Sequence, residues 1–131
     1  MAQPTAGQHR AWQARVVNPQ TVPSVTVAEV ANELPSTTTL LDVREDDEWA
    51  AGHAPSALHI PLGELAGRLG ELPADNSLYV ICRSGGRSAR ATAFLNANGW
   101  DATNVEGGMG AWQAAGKPMA GENPGAEPTV I

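Results

Sequence analysis

The one cysteine, Cys82, is followed by Arg83-Ser84-Gly85-Gly86-Arg87-Ser88, residue types that together suit nucleophilic sulfur chemistry. It closes the apolar run Leu78-Tyr79-Val80-Ile81 and precedes a helical-looking stretch from Ala89 to Asn98. A thiol between a strand end and a helix start sits among free backbone N–H groups. Those amide dipoles, with guanidinium groups on either side, favour thiolate over thiol. Glycines at 85 and 86 let the backbone turn its N–H groups inward into an anion-binding nest. A lone cysteine in a soluble protein is more often a buried, inert packing residue, but packing alone does not ask for paired glycines flanked by arginines. Arg83 and Arg87 could each grip an oxyanion in bidentate fashion. Arg83 is expected to face such an anion, with Ser84 and Ser88 completing the cup. Arg87 could do the same, or turn inward and brace the loop against Glu48 or Asp42; the sequence leaves both open.

Four residues separate Cys82 from Arg87. Cysteine-dependent phosphatases place one residue more between cysteine and arginine, and often carry histidine where this chain has Ile81. The shorter cradle suits a compact sulfur centre better than a tetrahedral phosphate ester. A cysteine-based arsenate reductase is disfavoured because the chain has no resolving thiol. Asp42, at the end of a buried run, is expected to accept backbone N–H bonds from neighbouring loops rather than act as a base. Arg44 and Glu48 are candidate supports near it. His53 and His59 read as structural, and two histidines with one cysteine lack the short spacing of a metal site. No cofactor or metal is expected. Trp49, Trp100 and Trp112 read as packing residues, and Trp12 as an anchor for the N-terminal arm.

The elements that must position these residues alternate between short apolar runs and amphipathic stretches. Strands are expected at Ser24–Thr26, Thr39–Val43, Ala57–Ile60, Leu78–Ile81 and Ala102–Val105. Helices are expected at Ala28–Leu34, stopping before Pro35, and at Asp46–Ala51, stopped by Gly52. Leu62–Leu72 has apolar residues at helical spacing. The helix after the cysteine loop stops at Gly99, and a last helix runs from Met109 to Ala115. Strand–helix alternation with short connections implies a parallel sheet covered on both faces. Ligands bind such sheets at the carboxyl ends of the strands, where Asp42, Arg44 and Cys82 fall.

At 131 residues with 42% hydrophobic content, the chain reads as one soluble domain with its own core. Three segments are expected: an arm over 1–21, partly disordered or docked; a domain over 22–117; and a Pro/Gly-rich tail over 118–131. A single cysteine suits a reducing, cytoplasmic compartment. The acid-free N-terminus with Arg10 and Arg15 leaves an organellar transit segment open. No apolar run reaches membrane-span length, so no membrane partner is expected. A net charge of -6 argues against nucleic acid as a partner. Arg83, Arg87 and Arg90 cluster without acids, whereas Glu45, Asp46, Asp47 and Glu48 read as a solvated helix start. A basic cup on an acidic protein points to a small anionic substrate.

With these pieces in place, the chain resembles a single-domain rhodanese. The matching residues are Leu41-Asp42-Val43-Arg44, Glu48-Trp49, Gly52-His53-Ala54-Pro55-Ser56-Ala57, Ile60-Pro61, Cys82 to Ser88, Asn98-Gly99-Trp100, Glu106-Gly107-Gly108 and Ala111-Trp112. They span roughly 22–117 in the family's order. The resemblance implies an α/β, three-layer fold with a five-stranded parallel sheet and helices on both faces. It also implies a sulfurtransferase in which Cys82 takes a sulfane sulfur from a donor such as thiosulfate or polysulfide. The acceptor would be cyanide or a thiol, and a protein could serve as donor or acceptor. The alternative is a sulfur-carrier or binding module loaded by a partner protein, with little activity on free thiosulfate.

Overall fold

The computed structural model describes residues 21–131; Trp12 and the expected N-terminal arm lie outside the described residues. Five strands, β1 (Ser24–Thr26), β2 (Thr38–Asp42), β3 (Leu58–His59), β4 (Ser77–Ile81) and β5 (Asp101–Glu106), form one sheet. Its order is β1-β5-β4-β2-β3, and every neighbouring pair is parallel. Four α-helices connect or follow them: α1 (Asp46–Ala51), α2 (Leu62–Leu65), α3 (Gly86–Ala97) and α4 (Gly108–Ala114).

Consecutive strand residues point to opposite faces, so adjacent apolar pairs feed two cores. Leu41 and Val80 join Leu65, Leu78, Ala91, Leu95 and Ala102 beneath α2 and α3. Leu40 and Ile81 join Val27, Val30, Val105, Met109 and Trp112 beneath α4. A sheet buried on both sides explains why β2 and β4 read as continuous apolar runs rather than alternating ones.

Two expected helices are corrected. Over Ala28–Leu34 there is only a 3-10 turn, Val27–Glu29. The Glu29 carboxylate accepts from the Thr26 amide at 2.8 Å, and Val30 then turns extended, at φ -99° and ψ 117°, which buries it beside Val27. A segment so short gains little from helix propagation once its first turn is closed. Leu62–Leu72 splits into one α-turn, Leu62–Leu65, and a 3-10 turn, Leu69–Glu71. Gly63, Gly67 and Gly70 each weaken a continuous helix by about 1 kcal/mol. The apolar spacing still works, because Leu65 and Leu72 are both buried. Arg68 ties the two turns together through Glu64 at 2.6 Å and Glu71 at 2.8 Å.

Segment 118–131 packs back on the domain. The last carbonyls of a helix have no intrahelical partner, and here this segment supplies them. Glu122 N–H donates to Ala50 O at 2.8 Å, and Thr129 N–H to Ala51 O at 2.9 Å. His53 and Ala120 form an antiparallel bridge, and Met119 and Val130 pack on the second core. No helix among the described residues is long and apolar enough to cross a membrane.

Candidate active site

Parallel strands end on one side of the sheet, and three of those ends, Asp42, Ile81 leading into Cys82, and Glu106, meet the start of α3. The helix begins at Gly86, three residues earlier than the sequence suggests, so Arg87 and Ser88 lie in its first turn rather than in a loop. Gly85 makes this possible. It takes φ +116° at the N-cap, a conformation that L side chains rarely adopt, and its N–H points at Cys82 Sγ from 3.1 Å.

Cys82 is 1% exposed. Burial pushes its thiol pKa up. The Ser88 hydroxyl, 3.3 Å from the sulfur, and the amides of Ser88, Gly85 and Ser84 pull it down, and the net direction is below the ordinary value. This is the depressed thiol expected from the sequence, although amides and a hydroxyl do most of the work that the arginines were expected to share. Ser88 Oγ also lies 2.6 Å from Asn104 Oδ1. Asn104 sits in β5, on the same face as Ala102 and directly beneath the first turn of α3.

Arg87 grips Glu48 with two bonds, Nη1 to Oε1 at 2.7 Å and Nη2 to Oε2 at 2.8 Å. Of the two orientations left open by the sequence, the inward brace is the one present. This bidentate pairing with Arg87 holds the Glu48 carboxyl at about 2. Burial opposes it, while the Glu45 amide and the charges of Arg87 and Arg44 add to it. Arg87 in turn is raised, first by Glu48 and in smaller part by the charge of Cys82. Arg83 is exposed, and its Nε donates to Ile131 O at 2.9 Å. Ser84 and Gly86 are exposed at the mouth of the loop.

Asp42 and Arg44 are both fully buried and form an internal ion pair, Nη2 to Oδ2 at 2.8 Å. The Arg44 amide also donates to Asp42 Oδ1 at 3.0 Å, so Asp42 does accept a backbone N–H, but its main partner is a guanidinium. Arg44 Nη2 further donates to Gly52 O at 2.8 Å, which fixes the end of α1 and thereby Glu48. Both histidines bond away from the cysteine. His53 faces Ala54 O at 3.0 Å and Glu122 at 2.9 Å, and His59 faces Arg44 O at 2.7 Å. Both stack on Trp49, with ring centroids at 3.5 and 4.7 Å. Among the described residues no cluster of three His, Cys, Asp or Glu side chains could hold a metal ion.

The turn after β5 supports the cysteine from behind. Met109 N–H donates to Cys82 O at 2.7 Å and Gly110 N–H to Arg83 O at 2.9 Å. Gly108, at φ +56°, presses against these same carbonyls, and a Cβ there would run into Cys82 O and stand 2.6 Å from Arg83 O. Sequence reasoning had no role for Asn104 or Gly110. The signal for Asn104 was an inward-facing polar residue two positions after Ala102 in a strand.

The arrangement can hold an anionic sulfur among converging N–H and O–H donors. The Rhodanese-like domain family matches residues 26–115. YtwF of Bacillus subtilis (strain 168) is 44% identical over 79 residues, covering 60% of this chain and 77% of its own. A protein of Allochromatium vinosum named Sulfurtransferase is 38% identical over 81 residues, covering 61% of this chain and 76% of its own. The solved structure of a rhodanese-related protein from Thermoplasma volcanium shares 35% identity at a TM-score of 0.69, covering 75% of this chain and 97% of its own. With the family match running from the end of β1 to the end of α4, the chain belongs to the rhodanese-like domain family.

Proposed function

We propose that this protein is a sulfurtransferase that carries sulfane sulfur as a persulfide on Cys82, taking it from thiosulfate or a polysulfide and giving it to cyanide or a thiol. The observation that carries this reading is the donor set on Cys82 Sγ, with Gly85 N–H at 3.1 Å and Ser88 Oγ at 3.3 Å. Such donors favour the thiolate, which is the form that attacks sulfur. The thiolate attacks the outer sulfur of thiosulfate, forming one S–S bond while the donor's own S–S bond breaks. Sulfite leaves with the electron pair. The terminal sulfur of the persulfide is then attacked by cyanide, which leaves as thiocyanate and restores the thiolate. No proton or outside oxidant is consumed in either step.

Two anions must meet for loading, so positive potential at the rim matters. Arg83 supplies it from an exposed position, while Arg87 acts through Glu48 to keep the loop in shape. With no second cysteine in the sequence, the sulfur passes to an external acceptor. A free thiol of this kind suits a reducing compartment such as the cytoplasm.

The test is thiocyanate formation from thiosulfate and cyanide. Turnover by the wild-type protein supports the reading. Sulfur uptake only from a protein donor such as a cysteine desulfurase would replace it with a carrier role. Hydrolysis of aryl phosphates without sulfur uptake would overturn both.

A further inference from the structure

Ser88 has one hydroxyl proton and two neighbours that can take it, Asn104 Oδ1 at 2.6 Å and Cys82 Sγ at 3.3 Å. A hydroxyl donates once and accepts through its lone pairs, so the three groups form a chain with two possible directions. While Cys82 is a neutral thiol, S–H can donate to Ser88, and Ser88 donates to the Asn104 oxygen. Once the thiol proton leaves to solvent, the Ser88 proton must turn to the sulfur. The Asn104 oxygen would then face a lone pair, unless the amide turns over and offers its NH2 group to Ser88 instead. An amide can accept in one state and donate in the other. A carboxylate accepts only, and an alkyl side chain does neither.

We propose that Asn104 is a positioning residue whose amide follows the state of Cys82, holding the Ser88 hydroxyl toward the sulfur whenever the sulfur is anionic. Packing offers no competing reason for the residue. Asparagine is a poor strand former, and a buried amide is costly without partners, yet Asn104 is 5% exposed in β5. Its backbone is independently held, with N–H donating to Pro23 O at 2.8 Å, which leaves the side chain's bond to Ser88 as its distinctive contact. The inference rests on the reading of Cys82 as a thiolate nucleophile, and it extends the donor set by one residue that never touches the sulfur.

The charged groups on the surrounding elements are Arg83 of the loop, Arg87 and Arg90 of α3, Glu45 before α1, Asp46, Asp47 and Glu48 of α1 with Glu48 locked on Arg87, Asp42 at the end of β2 paired with Arg44, and Asp101 and Glu106 of β5. The test keeps all of them. It measures the rate of Cys82 alkylation by iodoacetamide from about pH 5 to 10 in the wild type, N104A, N104D, S88A and the S88A/N104A double variant. N104D should move the midpoint upward and slow alkylation at neutral pH by roughly tenfold, the equivalent of one pKa unit. N104A should slow it by roughly threefold, and this effect should disappear in the S88A background, as expected for a residue acting only through Ser88. An equal N104A effect with and without Ser88, or an unshifted midpoint in N104D, overturns the proposal. If N104A does not fold, as judged by its thermal transition, N104S and N104T are put through the same cycle. Alkylation needs no sulfur donor, so a wild-type protein that takes up no sulfur would sink the sulfurtransferase reading while leaving this result decisive for Asn104.

Discussion

Replacing Glu48 by glutamine should destabilise the domain at neutral pH and should matter progressively less in acid. Glutamine keeps the shape and can still accept the Glu45 N–H as glutamate does at 2.9 Å, because either residue serves in a capping box. What it removes is the negative charge that faces Arg87. A carboxyl held at about 2 instead of the ordinary 4.5 corresponds to a ceiling of about 3 kcal/mol, at about 1.4 kcal/mol per tenfold change in proton affinity. The pair lies at the rim, with side-chain exposures of 29% for Arg87 and 14% for Glu48, so solvent screening lowers the expectation to about 1–2 kcal/mol. The sign follows from the depressed carboxyl. Its stabilisation is fully present above pH 4.5 and is lost as pH falls toward about 2. Urea unfolding of wild type and E48Q at several pH values between neutral and acid reads the difference directly. The gap should be about 1–2 kcal/mol at neutral pH and close in acid. A gap that is absent at neutral pH, or that stays constant into acid, would refute the argument.

Gly108→Ala should lower stability by about 2 kcal/mol or more, because a left-handed backbone and a clash with the Cys82 and Arg83 carbonyls coincide there. It should also slow alkylation of Cys82, and an unchanged thermal transition would contradict the packing described. Gly52→Ala places a Cβ 2.5 Å from Thr129 O and 2.7 Å from Thr129 N, so it should release segment 118–131 and speed proteolytic cleavage within it; cleavage at the wild-type rate would count against that contact. Arg83→Ala should raise KM for thiosulfate more than for an uncharged sulfane-sulfur donor, as expected for charge attraction at the rim. Equal changes for both donors would assign Arg83 no electrostatic role.

Much of the site was legible because its key features are contiguous. The run from Cys82 to Ser88 holds the nucleophile candidate, the turn glycine and the hydroxyl donor within one strand–loop–helix unit, and its chemistry follows from local backbone geometry. Arg87 was different. Its partner Glu48 lies on another helix, 39 residues earlier in sequence, and nothing local decides between an inward and an outward guanidinium. Asn104 was hidden for the same reason, since its meaning depends on which residue of α3 sits above it. The helices expected over Ala28–Leu34 and Leu62–Leu72 failed where apolar spacing outran local preference. Apolar residues at helical intervals can still be buried from short turns when glycines break the segment. The Pro/Gly composition of 118–131 said nothing of its docking, because that depends on backbone groups of α1 that composition does not encode.

The central claim, that the Cys82 Sγ is the atom on which sulfur travels, is tested most directly by intact mass after incubation with thiosulfate. The wild-type protein should become one sulfur atom heavier and return to its original mass on addition of cyanide, while Cys82→Ser should show neither change. A sulfur adduct that persists in Cys82→Ser, or a folded wild-type protein that gains no sulfur from thiosulfate, polysulfide or a protein donor, would contradict it.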